Sequence, residues 1–212
     1  MNLKKRGFLL VTSLTFFLLL RITQSDEPDA TRALDVSNAK ARLREVIVSH
    51  NDDNGILQLY RKKEDGSDSL QLTKGNLNCV QPACSPNGAN IVYVQRSNKE
   101  MAIWLCDTDG DNAKELVTSQ RLLLPSWLPD SKHIVWMNVG TVQRNQDPAS
   151  NSQIRIMNTE TGESRRLFSD PKQLQFNNAM PSVSPDGTKV VFVSDRSGTF
   201  RIWVSNLDGS NA

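Results

Sequence analysis

Polar and apolar positions along the chain fall into a repeat. Pro82 opens PACSPNGANIVYVQRSNKEMAIWLCDTDG, Pro125 opens PSWLPDSKHIVWMN, and Pro181 opens PSVSPDGTKVVFVSDRSGTFRIWVSNLDG. In each, a second proline follows four residues later (Pro86, Pro129, Pro185), and then Asn87, Asp130 or Asp186. Nine residues after the first proline an apolar triplet begins: Ile91-Val92-Tyr93, Ile134-Val135-Trp136 or Val190-Val191-Phe192. A downstream mark keeps the register. Gly66, Gly110, Gly162 and Gly209 each follow a bulky residue by six positions: Tyr60, Trp104, Ile156 and Trp203. Leu72 and Leu116 come six residues after their glycines, and Leu167 five. The chain therefore carries four units.

The chemistry of one unit predicts strands and turns. Ser184-Pro185-Asp186-Gly187 has the residues of a type I turn, with proline fixing φ at the second position. It joins a short strand to the run Lys189–Ser194. Asp195–Gly198 makes a second turn, Phe200–Ser205 a third strand, and Leu207-Asp208-Gly209 a third turn before a fourth strand. Four short strands in a repeat of this length form one blade of a β-propeller. A single blade cannot bury both faces, so neighbours must stack to make a core. The predicted fold is all-β: a propeller of four-stranded blades near residues 44–75, 79–118, 122–168 and 178–212. The first unit shows strands at Glu45–Ser49, Ile56–Arg61 and Ser69–Thr73 with no opening strand. The last stops where a fourth strand is due, so the ring is expected to be open or incomplete, with self-association through its open edges. The spacing from Trp136 to Ile156 places nine extra residues in the second-to-third strand connection of the third unit, within Gly140–Ser152.

At these residues the chain resembles a known family. PSVSPDGTKVVFVSDRSGTFRIWVSNLDGSNA is similar to the repeat of TolB-type propellers, also described as WD40-like or PD40 repeats. The resemblance covers roughly residues 44–212. The second unit departs from the pattern at Cys84 and Asn87, and the third at Leu128 and Ser131. The resemblance implies a non-catalytic scaffold of the periplasm or cell envelope that works through protein–protein contacts, as in the Tol–Pal system, with a glycan as a further candidate ligand. It also implies a rival: the accessory propeller, cut short, of an exported peptidase or polysaccharide-degrading enzyme.

The first residues bear on location. Lys4, Lys5 and Arg6 precede the apolar run Phe8–Leu20, which Arg21 ends. A membrane-spanning helix needs about 20 apolar residues, so this shorter run reads as a signal peptide over residues 1–25 or an N-terminal anchor. No cysteine follows the run directly, which argues against a lipid anchor there. Residues 26–43 read as a linker with a short helical stretch. The protein is therefore expected to be exported, and to meet the membrane only through an uncleaved N-terminal segment.

The formal charge of +2 comes from that segment, because four basic residues and no acidic ones precede Asp26. From Asp26 onward 21 basic residues face 23 acidic ones, a net of −2. Such a domain lacks the electrostatic footprint of a phosphate-backbone binder, so nucleic acid is not an expected partner.

Candidate chemistry is sparse. His50 and His133 stand far apart in sequence, neither within an HExxH pattern, and no G-x-S-x-G elbow occurs. Asp107-Thr108-Asp109-Gly110-Asp111-Asn112 begins like a calcium loop but has Asn112 and Thr118 at positions six and twelve, where glycine and glutamate belong. It reads as a turn, as does Asn51-Asp52-Asp53-Asn54-Gly55. Trp104, Trp127, Trp136 and Trp203 lie on strand positions and read as packing between blades. Arg196 reads as a solvated turn residue. Cys79, Cys84 and Cys106 have no CxxC spacing and read as small apolar residues, with a bridge from Cys79 or Cys84 to Cys106 left open if their strands are neighbours. The sequence thus offers no catalytic, cofactor-binding or metal-binding set.

Overall fold

A computed structural model describes residues 45–140 and 151–212. The expected signal segment, the linker and most of the predicted insertion lie outside the described residues. Four antiparallel sheets follow one another along the chain. The first holds β1 (Glu45–Asn51), β2 (Leu57–Lys63) and β3 (Leu70–Gln71). The second holds β4 (Asn78–Cys84), β5 (Asn90–Arg96), β6 (Met101–Asp107) and β7 (Lys114–Ser119). The third holds β8 (Leu122–Trp127), β9 (His133–Asn138), β10 (Gln153–Asn158) and β11 (Ser164–Arg166). The fourth holds β12 (Asn178–Val183), β13 (Lys189–Ser194) and β14 (Arg201–Asn206). A one-turn helix α1 (Pro171–Leu174), capped by Asp170 through the Lys172 N–H, links the last two sheets. The ring of sheets is not closed.

Each sheet packs on the next, and β4, β8 and β12 touch in turn, so the first strands line the axis of the arc. The core consists of three clusters, one at each junction. Leu59 and Leu72 meet Cys79, Ile91, Tyr93 and Cys106 between sheets one and two. Val92, Val94, Ile103 and Leu105 meet Leu122, Trp127, Ile134, Trp136 and Met157 between sheets two and three. Leu128, Val135, Ile154, Ile156, Leu167 and Phe168 meet Val190 and Phe192 between sheets three and four. Alternate residues of each strand thus face the preceding and the following sheet, which is why these strands are apolar on both faces.

The prolines that open the repeat do not begin the strands. Pro82, Pro125 and Pro181 sit inside β4, β8 and β12, each at a β-bulge. Pairing skips from Val80↔Val94 to Ala83↔Val92, so Gln81-Pro82 together oppose Tyr93. Likewise Leu124-Pro125 oppose Trp136, and Met180-Pro181 oppose Phe192. Proline has no N–H to give the ladder, and a bulge removes the need for one. The residue before each proline turns into the left-handed region: Gln81 at φ 54°, Leu124 at 57° and Met180 at 51°.

Strand pairing also corrects the register of the third unit. Tyr93 pairs with Trp104 and Phe192 with Trp203, but Trp136 pairs with Arg155, not Ile156. Ile156 faces the following sheet instead, within the cluster around Phe192. The offset arises in the next turn. The Gly110 N–H bonds the carbonyl three residues back, at Asp107, whereas the Gly162 N–H reaches four back, to Asn158. That turn is one residue longer, so a count from its glycine lands one position late. Trp136 and Arg155 are 19 residues apart against 11 for Tyr93 and Trp104, which makes the connection eight residues longer rather than nine.

Two glycines are fixed by close approach. A Cβ on Gly110 would lie 2.4 Å from the Leu72 carbonyl oxygen, and one on Gly209 would lie 2.3 Å from that of Leu167. Both therefore seat a turn of one sheet against the outer strand region of the sheet before it.

Candidate interaction surfaces

The sequence-singled residues are mostly self-contained. His133 Nδ1 lies 2.7 Å from Asp130 Oδ2, within its own turn. His50, in sheet one, stands edge-on to Tyr60 of the same sheet at 5.8 Å, whereas His133 is in sheet three. Asp107 Oδ1 accepts the Asp109 and Asp111 N–H groups, and its Oδ2 accepts Asn112 Nδ2–H. The carboxylate is thereby spent on holding the turn. Among the described residues no group of three or more His, Cys, Asp or Glu is arranged to hold a metal ion.

The three thiols are free. Cys84 and Cys106 pair with the same residue, Ile91, from opposite sides, so β5 separates β4 from β6. Two strand spacings amount to about 9.5 Å, beyond the reach of a disulfide. The same strand separates Cys79 from Cys106, and the bridge left open by the sequence is excluded by topology. Burial pushes the Cys106 thiol up to about 12, with the charges of Asp107 and the other two cysteines adding to the effect.

The tryptophans pack between sheets. Trp136 is fully buried, and Trp127 Nε1–H donates to the Ala83 carbonyl of the sheet before it at 2.9 Å. Arg196 departs from expectation. Its guanidinium lies 4.9 Å from the Phe192 ring, 5.0 Å from Trp203 and 5.1 Å from Phe168. It donates to Asn178 Oδ1 at 2.8 Å and to Ser194 Oγ. This arginine is half-buried and joins sheets three and four; it is not a solvated turn residue.

Exposed apolar surface remains at the axis. Leu124 and Met180, the residues forced out by their bulges, are 38% and 61% exposed. With Gln81, Pro82, Pro125, Ser126 and Pro181 they line an open cleft of about 370 Å³ fed by three sheets. The Gln81 side chain spans two of them, accepting the Leu124 N–H at 2.8 Å. The sequence holds a signal for this surface, the residue before each first proline. That signal is legible only once the proline is known to sit at a bulge.

Known proteins give the same fold. The family described as the lipoprotein LpqB beta-propeller domain matches residues 57–211. A TolB homolog of Chlorobium luteolum is 24% identical over 199 residues, which is 89% of this chain and 43% of that protein. The chain thus spans less than half the length of that relative. The structure of TolB from Acinetobacter baumannii superposes with a TM-score of 0.59 at 20% identity, over 84% of this chain and 43% of the other. An oligogalacturonate lyase in complex with manganese gives 0.51 at 19% identity, over 70% and 40%. With its four successive antiparallel sheets and this match, the chain belongs to the LpqB-type beta-propeller family and carries a TolB-type propeller.

Proposed function

We propose that this protein is a non-catalytic scaffold of the periplasm or cell envelope that binds a protein partner at its axial cleft. The observation that carries the reading is the convergence of three bulged strands on one exposed apolar surface. Leu124 and Met180 are held outward by a backbone that costs about 1 kcal/mol per non-glycine residue in the left-handed region. Exposed apolar side chains in a concave, proline-stiffened setting are what a protein ligand desolvates on binding. Similarity to TolB homologs and to the LpqB family supports the envelope setting, as does the apolar run after Lys4, Lys5 and Arg6.

The test has two arms. Residues 1–30 fused to a reporter active only outside the cytoplasm should give activity; cytoplasmic retention would overturn the location. A photo-crosslinking residue at Met180 of the full chain, in living cells, should give one discrete protein adduct that Leu124→Asp removes. Adducts to glycan only, or an adduct indifferent to Leu124→Asp, would overturn the binding site.

A further inference from the structure

Strand register picks out one position of the repeat at which sheet three differs from its neighbours. Across sheet two, Tyr93 pairs with Trp104 and Trp104 with Glu115. Across sheet one, Val48 pairs with Tyr60 and Tyr60 with Gln71. In sheet four Phe192 pairs with Trp203. The third strand thus carries an aromatic ring here, and its outer partner in sheets one and two is neutral or acidic. Sheet three instead runs from Trp136 to Arg155 to Arg166. Two arginines stand directly opposite each other on one face, and like charges so placed destabilise a sheet.

No carboxylate among the described residues offsets the pair, because the ion pairs there engage other groups. Arg155 is half-buried, with its guanidinium 5.9 Å from the Trp136 ring. Burial first, and then the Arg166 charge, pushes its pKa below the ordinary arginine value. One of its N–H groups donates to the Ser164 hydroxyl at 3.1 Å. Ser164 lies two residues before Arg166 and so on the same face of β11. Arg165, between them, is engaged elsewhere and donates to the Leu207 and Arg166 carbonyls. Lys114 of sheet two brings a further cation toward the turn before β11, its ammonium 3.3 Å from the Thr159 carbonyl. A departure from the repeat toward repulsion is what a functional position, held against local stability, looks like.

We propose that Arg155, Arg166 and the Ser164 hydroxyl bind a phosphoryl group at the outer edge of sheet three. Directly opposed residues have Cβ atoms about 5 Å apart, so two guanidinium forks can converge on one tetrahedral group. Guanidinium presents parallel N–H donors that match phosphate oxygens, and the Ser164 O–H supplies one more. A dianionic phosphate matches the two positive charges, whereas a single carboxylate satisfies one fork and leaves the other charge unpaired. This is one point of charge and not a track of cations, in keeping with the near-neutral domain. The site stands across sheet three from the axial cleft and shares no residue with it. Inorganic phosphate and a phosphomonoester lipid headgroup present the same chemistry, and the test separates them.

Calorimetric titration of inorganic phosphate into the full chain at low ionic strength should reveal one site. Arg155→Gln and Arg166→Gln should each weaken it at least tenfold, and Arg201→Gln, at an exposed position of sheet four, should leave it within twofold. Thermal melts add a second readout. In phosphate-free buffer Arg166→Gln should melt above wild type, because the opposed charges are relieved, and phosphate should raise the melting temperature of wild type but not of the variant. Phosphatidylcholine vesicles with and without a phosphomonoester lipid identify the source. Sedimentation with the charged vesicles that Arg166→Gln abolishes would assign a membrane headgroup, and binding of inorganic phosphate alone would assign a soluble one. A wild-type chain that binds no phosphate, binding indifferent to both arginine variants, or equal binding of acetate would overturn the proposal.

Discussion

Arg196 shows what a single residue does in this fold. Its guanidinium is less strongly hydrated than an ammonium and stacks readily on aromatic faces, so three rings from two sheets can share it. Arg196→Ala should cost about 1–3 kcal/mol, from lost stacking and two lost hydrogen bonds. Arg201→Ala, at an exposed strand position, should cost under about 0.5 kcal/mol. Chemical denaturation of both variants checks this; equal losses would mean that the ring contacts contribute nothing. The thiols give a second residue-scale expectation. Burial raises the Cys79 thiol and takes Cys106 to about 12, so both stay protonated in the folded protein while the unfolded thiols ionise near 9. The folded state then holds more protons than the unfolded state above pH 9. Its stability from these groups is full below that value and falls as the pH rises toward 12. A thiol reagent at pH 8 should find Cys84, which is exposed, within minutes, and the other two only after denaturant is added. Asp186 works in the opposite direction. The Ser184 hydroxyl and the Thr188 N–H and hydroxyl donate to its carboxylate and hold it at about 2. The turn is stabilised above pH 4 and loses that contribution as the pH falls to 2, which a carboxyl titration by NMR would follow.

At the scale of elements, the repeat was legible because prolines and glycines punctuate it at fixed spacing. Strand positions such as Ile91–Tyr93 and Val190–Phe192 followed directly, and so did the turn at Ser184–Gly187, where the Gly187 N–H bonds the Ser184 carbonyl. Three features were not legible, each for a physical reason. The first prolines look like strand openers because an inner strand needs its N–H groups; only the bulge opposite Tyr93, Trp136 and Phe192 lets them sit inside. Ile156 was misaligned because one turn holds an extra residue, and a glycine count cannot see where in the unit it was added. Arg196 was read as solvated because its rings come from positions 168, 192 and 203, and no local pattern announces a contact between sheets. Glycine spacing does yield a sharp expectation. Gly209→Ala should lose about 2–4 kcal/mol, because its Cβ meets backbone at 2.3 Å and the sheet junction must open. Gly162→Ala meets nothing within 4 Å and should lose only the left-handed cost of about 1 kcal/mol. Thermal melts that rank the two the other way would contradict the close seating of these turns.

At the largest scale, the four described sheets form an arc whose stability resides in its junctions. Each sheet buries little alone, and three apolar clusters between neighbours supply the core, as in other repeat proteins. The same geometry sets out the functional surfaces. Bulges on the first strands push Leu124 and Met180 toward the axis, away from Val191, Ile202 and Val204 on sheet four. These surfaces are separable, because a change on sheet four leaves the bulges untouched. The central claim is that the axial cleft binds a protein. The most direct test is a binding isotherm between the full chain and the protein captured at Met180. Leu124→Asp should weaken that affinity at least tenfold, and Phe200→Asp, on sheet four, should leave it within twofold of wild type. Equal affinities for wild type and Leu124→Asp would contradict the account.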